Sequence, residues 1–272
     1  MSDEGERRHI LMLSGGKDST ALALYMKDKY PEIEMEYLFT DTHKELKETY
    51  EYLTKIEAYI GKPVTRVSSE KGERGFDHYL TMFNNFLPSP NARWCTKELK
   101  IRPFERYIGD EPVCLYVGIR ADEKRDGYIS TKPNIEAKFP FKDDGITRED
   151  VMRILDESGV GMPGYYEWRS RSGCFFCFYQ RRSEWVRLKQ LHPDLFEEAK
   201  KYEINDEGYT WSQIESLEEL EQPARMKAIL ENEAKRIAQA EARRRPQTLA
   251  QLFTGDLGDD DEDLGSCLIC HL

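Results

Sequence analysis

The chain has 272 residues, 33% of them charged, and a formal net charge of −11. That length accommodates one large domain or a domain with an appendage. No apolar run approaches the length needed to span a bilayer. The acidic start, Met1 to Arg8, has no long apolar segment behind it, so the expectation is a cytoplasmic chain without a secretory leader.

The first apolar run, Ile10 to Leu13, reads as a strand, and Ala21, Leu22, Leu24 and Tyr25 open a helical pattern. Between them lies Ser14-Gly15-Gly16-Lys17-Asp18-Ser19-Thr20. Adjacent glycines let the backbone approach a ligand, and the helix start behind them presents unpaired N–H groups and a positive dipole end. This predicts an anion site, with phosphate the usual guest and Lys17 adding a full positive charge. The spacing is not that of the longer Gly-x-x-x-x-Gly-Lys loop.

A second strand runs from Ile33 to Thr40 and stops at Asp41-Thr42-His43. A helix follows over Glu45 to Ile60, ended by Gly61-Lys62-Pro63. Val64 to Val67 is a short strand, and Phe76 to Phe86 a helix. Pro103 starts or kinks a helix within Glu98 to Ile108. Val113 to Gly118 reads as a strand buried on both sides, with Cys114 as packing. This alternation predicts an α/β fold: a Rossmann-like parallel sheet with helices on both faces. Ser14-Gly15-Gly16, Asp41-Thr42 and Gly118-Ile119-Arg120 all fall at carboxyl ends of strands, where such sheets bind ligands.

Beyond Phe139 the pattern becomes helical. Thr147 is placed to cap a helix over Arg148 to Glu157. Further helices are expected through Trp185 to Leu191, from Pro193 to Tyr202, and from Ala224 to Arg245. Residues 246–272 carry Asp256, Asp259, Asp260, Asp261, Glu262 and Asp263 without Lys or Arg, and read as a flexible, disordered acidic tail holding Cys267 and Cys270. The expected divisions are 1–138, 139–245 and 246–272. The aromatic stretch from Tyr165 to Trp185 reads as core, and its arginines as candidates for contact with nucleic acid.

Six cysteines in such a chain suggest metal, redox or sulfur chemistry more than a disulfide framework. Cys174-x-x-Cys177 has chelating spacing, which admits zinc, an iron–sulfur cluster or a redox dithiol. Arg93-Trp94-Cys95-Thr96-Lys97, with Lys100 and Arg102, is a basic stretch around one thiol.

Several of these motifs, in this order, carry a resemblance. They are Ser14 to Ser19; Asp41-Thr42 followed by Glu48-Thr49; Lys100-Ile101-Arg102-Pro103; Gly118 to Arg125; and Phe139-Pro140-Phe141 leading into Ser172-Gly173-Cys174. Together they resemble the phosphoadenosine-phosphosulfate reductase family of the PP-loop ATP pyrophosphatases (the adenine nucleotide alpha-hydrolase group). The nearest logic is that of the ATP pyrophosphatase of DNA phosphorothioation systems. The resemblance implies a nucleotide site formed by Ser14, Gly15, Gly16, Lys17, Ser19, Thr20, Thr40, Asp41, Arg93, Gly118 and Arg120. It gives catalytic roles to Lys17, Asp18, Ser19 and Arg120, with ATP and magnesium.

It also implies a metal site at Cys95, Cys174 and Cys177, holding a four-iron cluster with zinc as the alternative. The sequence departs from the family at His43, where glycine is frequent, and at Cys95, which stands alone where the family's cluster-bearing reductases have a cysteine pair. The implied function is an ATP pyrophosphatase and sulfurtransferase that adenylates an acceptor, a nucleic acid by preference, for sulfur insertion. A cysteine desulfurase would be the sulfur donor, with further subunits of a modification complex as partners and no membrane. The alternatives are a sulfonucleotide reductase releasing sulfite and a non-catalytic ATP-sensing subunit.

Overall fold

The computed structural model describes residues 7–69, 75–124, 132–204, 208–212 and 214–244. In chain order the first elements are β1 (Arg8–Met12), α1 (Lys17–Lys29), β2 (Met35–Thr40), α2 (Lys47–Ile60), β3 (Val64–Val67) and α3 (Phe76–Met82). Then come α4 (Trp94–Thr96), a π-helical turn (Lys97–Ile101), α5 (Arg102–Ile108), β4 (Val113–Tyr116) and β5 (Ile135–Lys138). They are followed by α6 (Pro140–Asp143), α7 (Arg148–Glu157) and a 3-10 turn (Gly164–Glu167). The remaining helices are α8 (Arg182–Leu191), α9 (Pro193–Lys200), α10 (Leu217–Leu220) and α11 (Pro223–Arg244).

The strands form one sheet in the order β3-β2-β1-β4-β5, every neighbouring pair parallel. This is the expected Rossmann-like α/β fold. Alternate residues explain why β1 reads as an unbroken apolar run. Leu11 and Leu13 pack with α1, α2 and α7 on one face, while Ile10 and Met12 join Phe104, Ile108 and Leu115 on the other. Cys114 lies in the first of these cores, as packing, and burial pushes its thiol pKa up. The strand order reverses between β1 and β4, so the carboxyl ends of these two strands flank the crevice where such sheets take ligands.

The chain forms two compact units, dividing between Phe175 and Phe176. Segment 139–175 therefore belongs with the sheet rather than with the helices after it, which differs from the boundary expected at residue 138. The reason is packing: α7 lies along α1, with Val151 and Leu155 in the same core as Leu22. Thr147 and Asp150 close a capping box at the start of α7. In the second unit, Phe176 stacks on Trp211 at 4.9 Å, and Trp185, Phe196, Leu217 and Leu220 are buried. Among the described residues no helix is long and apolar enough to cross a membrane. The acidic tail, with Cys267 and Cys270, lies outside the described residues, as do Arg125 and Arg245.

Two helix ends differ from expectation. The second helix begins at Lys47, so Glu45 stands off it in the loop after β2. The third ends at Met82, because Asn84 and Asn85 both take left-handed backbone, with φ of 53° and 60°.

Candidate active site

The glycine loop is braced from within and from across the fold. Gly15 has φ +72°, and a Cβ there would also meet Thr49 Cγ2 at 2.8 Å, so only glycine fits. Its carbonyl accepts from Tyr165 Oη at 2.6 Å. The Gly16 N–H donates to Ser14 Oγ at 3.4 Å, and the Lys17 N–H to Tyr166 Oη at 3.3 Å. Ser19 Oγ receives the Ser14 N–H, and Thr20 Oγ1 donates to the Gly16 carbonyl at 2.8 Å. Ser172 Oγ lies 3.3 Å from Ser14 Oγ. The hydroxyls of Ser14, Ser19 and Thr20 thus hold the loop's shape, while Lys17 supplies the charge.

Asp18 is buried at the first turn of α1 and pairs with two cations. Lys17 Nζ is 2.8 Å from one carboxylate oxygen and Arg120 2.7 Å from the other. Arg120 arrives from the loop after β4, and Gly118 makes that approach feasible. A Cβ on Gly118 would stand 3.0 Å from the Asp18 carbonyl oxygen. Burial opposes the charge on Arg120, but Asp18 with Glu123 and Asp122 more than offsets it, and the guanidinium pKa is raised. Lys17 also stands over the Tyr166 ring at 5.5 Å from its centroid. Burial, with Asp18 nearby, pushes the Tyr166 phenol up. Lys17, Asp18 and Arg120 therefore gather at the β1–β4 crevice, with Asp122 and Glu123 also on Arg120.

The loop after β2 forms a second cluster. Asp41 accepts from Tyr50 Oη and from the His43 N–H, both at 2.8 Å. Thr42 Oγ1 donates to Glu45 at 3.1 Å and lies 3.2 Å from Cys174 Sγ. Cys174 Sγ is 3.8 Å from the same Glu45 oxygen. Glu45 is buried, and its Oε2 has no hydrogen-bond partner among the described residues. Burial raises its pKa, opposed by Lys100 and Arg169. Arg169 is buried and donates to the carbonyls of Gly173 and Cys174, and the Phe175 N–H donates to the Lys44 carbonyl. These contacts hold the thiol beside the strand end. Tyr165, Tyr166 and Glu45 were not read as site residues, since the contacts that define them join distant parts of the chain, whereas Arg169, expected as a nucleic-acid contact, binds the nearby Gly173 and Cys174 carbonyls.

Thr40 ends β2, and Arg93 is half-buried at the start of α4. Cys95 lies in α4 and Cys177 in the second unit. Among the described residues, no three His, Cys, Asp or Glu side chains gather into a metal-holding group. Cys174 faces Thr42 and Glu45, and Cys177 belongs to the other unit.

A family model for the phosphoadenosine phosphosulfate reductase domain matches residues 8–155. The chain belongs to that family. Both loops flanking the crevice and the β2 cluster up to Tyr50 fall inside the matched reductase domain, whereas Tyr165, Tyr166, Arg169 and Cys174 lie beyond it. The reductase-domain chain is 26% identical over 195 residues to an uncharacterised protein of Methanocaldococcus jannaschii, covering 67% of this chain and 44% of that one. An uncharacterised protein of Escherichia phage 186 is 26% identical over 246 residues, covering 68% and 71%. A tRNA-specific 2-thiouridylase of Limosilactobacillus reuteri is 25% identical over 193 residues, covering 59% and 50%. The chain spans about half the length of the archaeal relative and of the thiouridylase. Among solved structures, phosphoadenylyl-sulfate reductase from Candida auris, a phosphate complex, matches with a TM-score of 0.49 and 16% identity, covering 62% of this chain and 82% of that one.

Proposed function

We propose that this chain is an ATP pyrophosphatase that adenylates an acceptor for sulfur insertion. The observation that supports this most directly is the convergence of Lys17 and Arg120 on the glycine loop across the β1–β4 crevice. Two fixed cations beside a loop rich in N–H groups suit a polyphosphate, and they would stabilise the charge that builds as the alpha–beta bond breaks. An acceptor oxygen would attack the alpha-phosphorus and pyrophosphate would leave. Asp18 is a single carboxylate of the kind that holds magnesium together with phosphate oxygens. Bound there, the ion would shield charge on the leaving pyrophosphate.

A persulfide from a donor such as a cysteine desulfurase would then displace AMP, and a thiol reductant would cleave the resulting disulfide, leaving one sulfur on the acceptor. The kinship with a tRNA-specific 2-thiouridylase supports thiolation over reduction, and supports a nucleic acid as acceptor.

The test is pyrophosphate release from ATP in the presence of candidate acceptors. Lys17→Ala is expected to lower the rate by about 10²–10³-fold. Absence of release with RNA, DNA and small-molecule acceptors would overturn the proposal. Sulfite release from a sulfonucleotide with a thioredoxin-like donor would replace it with the reductase reading. ATP binding without either product would leave a nucleotide sensor.

A further inference from the structure

The tyrosine hydroxyls around the crevice are not equally engaged. Tyr165 donates its proton to the Gly15 carbonyl at 2.6 Å, and Tyr50 donates to Asp41 at 2.8 Å. Tyr166 differs from both. Its oxygen receives the Lys17 N–H at 3.3 Å, and among the described residues its own proton has no acceptor. A phenol both accepts and donates, so the donor half of this group is open.

That oxygen lies against the first N–H of α1, the place where an anion oxygen meets a helix start. The Tyr166 ring lies under Lys17 Nζ, 5.5 Å from the centroid. The 3-10 turn that carries it is fixed in place. The Tyr166 N–H donates to the Pro163 carbonyl, the Arg169 N–H donates to the Tyr165 carbonyl, and Tyr165 stacks on Tyr166 at 5.0 Å and 29°. Tyr165 is buried whereas Tyr166 is only partly so, and a ligand can reach it. Burial, with Asp18 nearby, holds the phenol pKa above its ordinary 10, so the hydroxyl stays a donor at neutral and mildly alkaline pH.

The cations of the crevice are already met by carboxylates, Lys17 and Arg120 by Asp18, and Arg120 by Asp122 and Glu123 as well. A neutral O–H attracts an oxyanion without holding a counter-ion of its own. We propose that Tyr166 is a substrate-binding residue of this crevice. Its hydroxyl donates to a non-bridging oxygen of the polyphosphate, while its oxygen keeps the Lys17 N–H and its ring supports the Lys17 ammonium. A brace alone would need only the lone pair that the Lys17 N–H already uses. Tyr165, one residue earlier, is the brace, since its proton is held by Gly15. The proposal rests on the reading of the crevice as a polyphosphate site, and it adds a contact from beyond the matched reductase domain.

The test is isothermal titration calorimetry of the full chain with inorganic pyrophosphate across a salt series, for the parent and Tyr166→Phe. That change keeps the ring and removes the hydroxyl. Affinity is expected to fall by on the order of tenfold, the loss typical of a hydrogen bond to a charged group. Its dependence on salt is expected to stay as in the parent, because the lost donor is neutral. The melting temperature without ligand is expected to stay near that of the parent, while Tyr165→Phe lowers it. Should Tyr166→Phe fail to fold, meta-fluorotyrosine in place of Tyr166 decides: a fluorine resonance that follows saturation with pyrophosphate supports the contact, and one that does not move overturns it.

Unchanged affinity in Tyr166→Phe overturns the proposal, as does a parent that binds no pyrophosphate. Tighter binding overturns it too, by showing that the phenol occupies the ligand's seat. A weaker affinity accompanied by a drop in melting temperature like that of Tyr165→Phe makes Tyr166 a second brace and also overturns it. Binding is read without turnover, so the two proposals fail separately. Affinity that depends on the Tyr166 hydroxyl, without pyrophosphate release from ATP, keeps the contact and removes the adenylation reading. Release from ATP with affinity indifferent to that hydroxyl does the reverse.

Discussion

Asp18 touches Lys17 and Arg120 at once, from a position that is almost fully buried. Asp18→Asn would remove the carboxylate that Lys17 and Arg120 share, leaving Arg120 with Asp122 and Glu123. We expect a loss of roughly 3 kcal/mol in urea denaturation. Inorganic pyrophosphate should restore part of it, raising the melting temperature of the variant more than that of the parent. Equal shifts would show that the two cations do not face the ligand. At this scale the sequence was legible wherever chemistry is local. Gly15, Gly16, Lys17 and Asp18 are contiguous, so the loop could be read directly. Tyr165 reaches Gly15 from 150 positions away, and Ser172 reaches Ser14 from 158. No periodicity or spacing encodes such a contact. Glu45 was hidden for another reason: it fits a helix start, and only the fold shows it standing off the helix against Cys174.

Strands buried on both faces announce themselves, which is why β1, β2 and β4 were expected close to where they form. β5 was not. Its sequence, Ile-Glu-Ala-Lys, is short, and only Ile135 is buried. An edge strand of that kind borrows its order from its neighbour, here through the register of Val113 with Ile135. The β1–β2 pair carries a charged lock at its start, where Arg8 meets both Glu36 oxygens at 2.7 Å. Its hydrogen bonds from Arg8, partly opposed by burial, hold the Glu36 pKa below its ordinary 4.5.

The sign follows from linkage: a lowered folded pKa adds stability above about 4.5, which is lost as pH falls through the folded value. Glu36→Gln should therefore cost stability at neutral pH, about 1 kcal/mol at most for so exposed a pair. The difference should shrink as pH drops below 4, and thermal melts across that range would show it. A cost that persists undiminished in acid would mean the glutamine disrupts packing rather than charge.

Across the whole molecule, the sheet unit extends to Phe175 because α7 completes the core over α1. A fragment ending at residue 175 is expected to unfold in one cooperative transition and to retain ATP binding. One ending at residue 138 lacks Phe141, Val151, Leu155 and Tyr165, and should expose the α1 face and melt broadly. Circular dichroism and nucleotide titration of the two would decide, and cooperative folding of the shorter piece would refute the packing argument. Composition gave no sign of this boundary, since the helical patterning that begins beyond Phe139 continues on both sides of Phe175.

The same scale gives the Asp18 contact a further meaning. The crevice carries its own tethered counter-ion, at a local concentration that bulk salt cannot dilute. Capturing a polyphosphate is then an exchange of covalently attached carboxylates, Asp18 with Asp122 and Glu123, for the incoming oxyanion, rather than a release of loosely held ions into solution. Affinity at this crevice should vary less with ionic strength than its two cations alone would suggest. A small singly charged anion, offering little more than Asp18 already provides, gains almost nothing by entering.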